Sequence, residues 1–339
     1  MKRILLLVLI SNLFLNCSRD KVDKEQSSQA LTTDFLISWN DLENKQRILS
    51  FVSAATDPED PGFIKTEDRI AVFDNDGTLW TEKPIYNHVF GVFQRFEQAV
   101  KQHPEILQDS VYLALNEFIK TNDKSELSIF MKELQEEKYN EIVGQVFGKA
   151  FEGISVEDFA DWNKTYYHEW KHPVFKKTLS SLTYQPMLEF ISLLQANDFK
   201  VFIFTADEGA FLKLYSKELY NVDPEHVFGT ATMLEYKDGQ LYRTSKGGFL
   251  NNWENKAKLI YQIVGKRPVV AAGNSNGDFH MLQYINSGKN NHLSLLIHHT
   301  DSIREFSYDS HTEHVLPYAL KNNYVVIDME KDWKTIFKQ

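Results

Sequence analysis

The sequence is poor in cysteine. One of its 339 residues, Cys17, is a cysteine, so no disulfide can form within the chain. Positive charge is also in deficit: 37 Lys and Arg stand against 47 Asp and Glu, for a net charge of −10. An acidic surface repels nucleic acid phosphates, and no basic stripe or aromatic-rich module offsets the repulsion, so nucleic acid is not an expected partner. No internal repeat is present, no low-complexity tract lies beyond a polar stretch near the N-terminus, and no segment identifies a protein partner. What remains is 42% hydrophobic and includes 24 Phe, enough to bury one large core or two modest ones.

Residues 4–15 form an apolar run after Lys2 and Arg3. A basic start followed by a hydrophobic stretch too short to span a bilayer comfortably is the pattern of a signal peptide. Cys17 stands directly after the run, and its placement resembles a bacterial lipoprotein signal, although Phe14, Leu15 and Asn16 replace the small residues such signals prefer. The alternatives are an ordinary signal peptide with an accidental cysteine, or an uncleaved anchor. The resemblance implies removal of residues 1–16, lipidation of Cys17, a flexible tether over residues 17–31, and export to a bacterial membrane facing the periplasm or the cell surface. Loss of Lys2 and Arg3 leaves 35 basic residues against 47 acidic ones, a balance of −12.

Apolar residues at Phe35, Leu36, Trp39, Leu42, Ile48, Leu49 and Val52 predict a helix over residues 35–52 that packs on the domain. Residues 69–73 (Arg-Ile-Ala-Val-Phe) form a short apolar run ended by polar residues and Gly77, as a buried strand does. Similar runs lie at 200–204, 268–272, 292–297 and 324–327, mostly separated by helical patterns. This order predicts an α/β fold, a doubly wound, Rossmann-like parallel sheet with helices on both faces, whose ligands bind at the carboxyl ends of the strands. More than a hundred residues separate the first two runs, with helical stretches near 93–100, 111–119 and 127–138. A crossover needs far fewer. Residues 83–183 are therefore expected to be an inserted helical domain, with residues 32–82 and 184–339 forming the core. A lesser insertion at 226–253 contains Asp238-Gly239 between apolar flanks and predicts a hairpin.

The first strand ends in Asp74-Asn75-Asp76-Gly77-Thr78-Leu79. Two carboxylates two residues apart at a strand end project toward one crevice, where one can attack phosphorus and the other can move protons. Taken alone, the same residues also suit a capped turn. In context the segment resembles the first motif of the haloacid dehalogenase superfamily, Asp-x-Asp-Gly-Thr after a hydrophobic strand. The remaining motifs of that superfamily follow in order: Thr205 after Val201-Phe202-Ile203-Phe204, a lysine at the start of a later helix, and Gly273-Asn274-Ser275-Asn276-Gly277-Asp278 after another strand. Lys256 and Lys258 compete for the lysine. They differ by about 200° in direction on a helix, and Lys256, nine residues before Gly265, matches the spacing of phosphoserine-phosphatase-like members.

The resemblance implies a Mg2+-dependent phosphomonoester hydrolase acting on a small phosphorylated metabolite, with a phosphoserine-like substrate as the finer expectation. Asp74 is then the nucleophile and Asp76 the general acid and base, while Thr205, the amides of Ala206 and Asp207, and Lys256 bind the phosphate. Asp74, the carbonyl of Asp76 and a side chain from Asn274 or Asp278 hold the metal. Departures from the family pattern lie at Asn274, often Asp in relatives, and at Ala206 and Asp207, often Gly. An acid at 207 would repel a phosphate, so its side chain is expected to turn away or to meet a cationic part of the substrate. Asp76 favours phosphate ester hydrolysis over carbon–halogen or carbon–phosphorus cleavage. The insert corresponds to the C1 cap of the superfamily. Glu82 is the first candidate for a substrate contact from that side, ahead of Tyr86, Tyr166, Tyr167 and His168. His298 and His299 lack further ligands at zinc spacing, so an outer supporting role is expected for them, near Asp301 and Arg304. Two other functions fit the same residues, a lipid-anchored phosphate-ester binding protein without turnover and a phosphotransferase.

Overall fold

The computed structural model describes residues 35–121 and 148–338. Cys17, the expected signal peptide and tether, and the helical stretch near 127–138 lie outside the described residues. Among the described residues no helix is long and apolar enough to cross a membrane.

In chain order the helices are α1 (Glu43–Thr56), α2 (Asn87–Gln102), α3 (Ser110–Thr121), α4 (Val156–Glu169), α5 (Gln185–Ala196), α6 (Gly209–Lys213), α7 (Ser216–Tyr220), α8 (Glu254–Val264), α9 (Phe279–Asn286), α10 (Val315–Lys321) and α11 (Met329–Asp332). The strands are β1 (Ile70–Phe73), β2 (Lys200–Glu208), β3 (Val227–Thr230), β4 (Thr232–Lys237), β5 (Gln240–Gly247), β6 (Val270–Gly273), β7 (Leu293–His298) and β8 (Val325–Asp328). Six of them form one sheet in the order β3-β2-β1-β6-β7-β8, and every neighbouring pair is parallel. The central strands are apolar throughout because both faces of the sheet are covered. Ala71 and Phe73 of β1 enter the core cluster that includes Phe190 and Leu194 of α5, while Val72 enters a second cluster with Ile260, Met281 and Leu282 of α8 and α9.

The register decides where the site lies. Phe73 is level with Ile203 of β2 and Ala272 of β6, and Ala272 is level with Leu295 of β7. The residues that follow these positions, Asp74, Thr205 and Asn274, therefore emerge side by side at one edge of the sheet. Between β1 and α5, which leads into β2, the described residues run through α2, α3 and α4. The chain leaves and returns at adjacent points, where Trp80 bridges Thr183 and the Tyr184 amide donates to Leu79 O at 2.8 Å.

Two expectations about elements change. The predicted helix over 35–52 begins at Glu43, because residues 35–42 are committed elsewhere: Trp39 pairs with Trp333 and the Asn40 amide donates to Asp332 O at 2.7 Å. The segment 226–253 is more than a hairpin. Its first residues form β3, a half-buried parallel edge strand, and the expected hairpin follows as β4 and β5, turning at Asp238 and Gly239, both with positive φ.

Candidate active site at the carboxyl edge of the sheet

The loop after β1 is folded tightly by its own backbone. Asn75 O accepts from the amides of Thr78 at 3.1 Å and Leu79 at 2.8 Å. Gly77 takes φ of +72°, and a Cβ there would stand 2.0 Å from Asn274 Nδ2, so no other residue fits without displacing the opposite loop. His299 Nε2 lies 2.8 Å from Gly77 O and its Nδ1 3.4 Å from Glu305 Oε2, which buttresses the loop from behind.

Lys256 is 1% exposed, on the inner face of α8. Its Nζ lies 2.5 Å from Asp74 Oδ1 and 2.6 Å from Asp278 Oδ1. Burial favours loss of its proton, but Asp278 and Asp74 outweigh burial and raise its pKa, so the ammonium persists. Lys258 points to solvent and pairs with Glu254 of the same helix at 2.6 Å. Asp278 is fully engaged: Oδ2 accepts from the amides of Asn274 at 3.0 Å and Ser275 at 3.1 Å, in a capping box that starts the turn into α9. The two acidic-loop candidates thus divide, with Asp278 turned toward Lys256 and Asn274 toward Gly77.

Residues 205–207 lie in an irregularity of β2, between the pairs Phe204–Phe228 and Glu208–Thr230. A bulge of this kind re-aims side chains at a strand end. It is made possible by Gly229, where a Cβ would meet Asp207 O at 2.5 Å. Thr205 Oγ1 accepts the Asp207 amide at 3.0 Å, leaving its own O–H as a donor. The Asp207 amide is therefore engaged within the loop, beside Ala206, whose carbonyl accepts from Thr230 Oγ1 at 2.6 Å. The Asp207 side chain neither turns away nor waits for a substrate cation. It is buried with its Oδ2 2.7 Å from Nδ1 of His88, the second residue of α2. Nothing in the sequence marked His88, because its partner lies far along the chain.

Asp76 and Asp74 occupy different surroundings. Asp76 Oδ1 accepts from Trp80 Nε1 at 2.9 Å. Burial, followed by the Asp207 charge, pushes Asp76 up to about 7, against the opposing pull of His88 and the Trp80 N–H. Burial also holds Asp74 well above the usual carboxylate range, helped by Asp278 and opposed by Lys256. Carboxylate oxygens of Asp76 and Asp207 and a ring nitrogen of His88 all lie within 4.8 Å of one another.

On the far side of Gly77, Glu82 Oε1 accepts from Tyr308 OH at 2.7 Å and from Asn274 Nδ2 at 3.3 Å, and Thr78 Oγ1 donates to Asn274 Oδ1 at 3.3 Å. Asp74, Asp278 and Glu82 are all buried, and Lys256 divides one positive charge between the first two. Such an excess of buried negative charge favours a cation. The available donors, a carboxylate of Asp74, the carbonyl of Asp76 and the amide oxygen of Asn274, are the hard oxygens that Mg2+ takes. The residues present fit that ion.

Residues 71–283 match the family described as haloacid dehalogenase-like hydrolase. The chain belongs to this family. Among solved structures the hydrolase is similar to a conserved protein of unknown function from Anaerococcus prevotii DSM 20548, at 16% identity over 79% of this chain and 88% of the other, with a TM-score of 0.52. That likeness is one of fold. A protein of unknown function from Bordetella pertussis Tohama I (15% identity, 77% and 98% coverage, TM-score 0.47) and a phosphoserine phosphohydrolase-like protein from Francisella tularensis subsp. tularensis SCHU S4 (14%, 68% and 87%, TM-score 0.37) are also similar. No curated protein matches the hydrolase.

Of the other candidates of the hydrolase, Tyr86 alone adjoins the carboxylate cluster, through His88. Tyr166 OH donates to Asn87 O at 2.7 Å, Tyr167 stacks on Tyr215 at 4.5 Å, Tyr86 stacks on His88, and His168 is exposed. His298 pairs with Asp309, and Asp301 with Arg304, whose guanidinium also bonds the carbonyls of Trp333 and Lys334 and so pins the C-terminal segment.

Proposed function

We propose that this hydrolase is a Mg2+-dependent phosphomonoesterase working through a phosphoaspartate on Asp74. The observation that carries the reading is the setting of two carboxylates two residues apart: Lys256 lies 2.5 Å from Asp74 and favours its ionised form against the effect of burial, while Asp76, bonded to Trp80 Nε1 at 2.9 Å, is pushed up to about 7. A group that gives a proton in one step and takes one in the next works best with a pKa near the working pH.

Asp74 attacks phosphorus in line, and the leaving oxygen takes the proton of Asp76. Asp76 then removes a proton from water as it attacks phosphorus and releases Asp74. Lys256 and the Thr205 hydroxyl stabilise charge on the equatorial oxygens throughout. Mg2+ would be held by Asp74, the Asp76 carbonyl and Asn274, with Asp278 acting through Lys256, and it supplies neutralisation of charge between nucleophile and phosphate. We read residues 83–183 as the cap. The burial of Asp74 and Asp76, at 5% and 7% exposure, supports a small phosphorylated metabolite as substrate, with a phosphoserine-like ester as the finer choice. Export and attachment through a lipid on Cys17 complete the proposal. Replacement of Cys17 by Ser would then move the protein from the membrane fraction to the soluble one.

The central test is phosphate release from a panel of small esters in Mg2+. Wild type should turn over and Asp74→Asn should not. Turnover that persists in Asp74→Asn rejects the mechanism, and phosphate recovered on added alcohols would make the protein a transferase instead.

A further inference from the structure

An amide is a weak partner for a divalent cation. Each carboxylate ligand adds a full charge, and Asn274 adds none. The structure sets a carboxylate directly behind that amide. Glu82, 6% exposed, takes the Asn274 Nδ2 hydrogen on Oε1, and the hydroxyl of Tyr308 holds the same oxygen from the other side. The missing side chain of Gly77 gives both groups their room, since a Cβ there would stand 2.0 Å from Asn274 Nδ2 and 2.9 Å from Glu82 Cδ. Gly77 follows Asp76, whose carbonyl belongs to the proposed cation site, so Glu82 and Asn274 stand beside the same stretch of backbone.

The cationic partner of Glu82 is a distant one. Lys83 Nζ is 3.7 Å away and lies over the Tyr308 ring at 4.4 Å, partly in solvent. Asn274, by contrast, is buried with both ends of its amide used, Oδ1 toward Thr78 and Nδ2 toward Glu82. An acceptor on Nδ2 fixes which end of the amide faces the pocket. A charged acceptor also draws the N–H outward and raises the electron density on Oδ1, as carboxylates behind metal-bound histidines do.

We infer that Glu82 is a positioning residue for the divalent cation: acting through Asn274, it returns to the site the negative charge that the amide lacks. The inference rests on the proposed Mg2+ chemistry and reassigns Glu82 from the substrate to the metal side of the pocket.

Isothermal titration of the full-length protein with Mg2+ alone tests it, without reference to turnover. Glu82→Gln is expected to weaken Mg2+ binding by about 10- to 100-fold, the usual effect of losing such a partner. The double variant Glu82→Gln/Asn274→Asp moves the charge onto the ligand itself and is expected to bind within about tenfold of wild type. It also carries the test should the single variant not fold, as checked by circular dichroism. An unchanged Mg2+ affinity in Glu82→Gln, with KM alone rising, overturns the inference in favour of a substrate contact. A double variant that binds Mg2+ no better than Glu82→Gln overturns it too, since restoring the charge on the ligand itself would then recover nothing. Absence of Mg2+ binding in wild type itself would reject the metal chemistry beneath it.

Discussion

Replacing Lys256 with Met keeps the shape of a fully buried side chain and deletes its charge. Two carboxylates, 2.5 and 2.6 Å from the ammonium, would then face one another without it. Removing one member of a buried ion pair costs about 3–5 kcal/mol, because the remaining charge stays desolvated. At about 2 °C per kcal/mol for a chain of this size, the melting temperature should fall by about 6–10 °C at neutral pH. Asp74 is already held above its unfolded value, and loss of the lysine raises it further. A carboxyl raised in the folded state binds more protons there than in the unfolded chain, so stability drops as pH rises through the window between the two values. The penalty should therefore vanish near or below pH ~4, where unfolded carboxylates protonate, and be largest at neutral pH and above. Thermal melts across pH, repeated with Mg2+, measure this, and the cation should recover part of the loss. Lys258→Met on the exposed face of the same helix is the control and should melt with wild type. If Lys256→Met melts within about 1 °C of wild type at neutral pH, the buried three-charge arrangement does not exist as described.

Three further outcomes are expected. Gly77→Ala should cost about 1–2 kcal/mol from its left-handed backbone alone and should also weaken Mg2+ binding by displacing Asn274, both measurable by denaturant titration and calorimetry. Trp80→Phe removes the N–H that favours ionised Asp76, so Asp76 should keep its proton to higher pH, moving the alkaline limb of kcat/KM upward; a limb that moves down or stays fixed would separate Asp76 from the proton transfer. Arg243→Met strands Glu208, which the guanidinium grips at 2.7 Å through both nitrogens, and should cost about 3–5 kcal/mol in urea unfolding, with Arg243→Lys failing to restore it because the two-pronged geometry is lost.

The strands of the central sheet were legible because each is a continuous apolar run with both faces covered. Val227–Thr230 escaped notice because an edge strand of four residues, one of them Gly229, carries little apolar signal and runs straight into the hairpin. The loop after β1, Thr205, Lys256 and the acidic loop could be ordered from sequence, since each follows an apolar strand run or opens a helix. Their neighbours could not. The Glu82–Tyr308 bond spans 226 residues, and His88 reaches Asp207 only because α2 starts above the end of β2. Spacing along a chain carries no information about such meetings. The division of labour between Asn274 and Asp278 was hidden for a related reason: Asp278 is drawn to Lys256 by packing of α8 against α9, not by its place in the loop.

The hairpin has a mechanical meaning for any opening of the insert. Ser155 pairs with Tyr242, and Arg243 exchanges backbone bonds with Gly153 and Ile154, each at 2.9 Å, so the hairpin is sewn onto the base of α4. The same chain then runs to Asn251, whose side chain grips the Thr205 carbonyl at 2.9 Å, and on into the helix that bears Lys256. If the insert opens as the proposed cap, it must either rip these stitches or drag the hairpin along, and in the second case the pull arrives at Thr205 and Lys256. Under the proposed function, access and readiness would then be geared together, the two groups proposed to hold the phosphate coming into place as the insert closes.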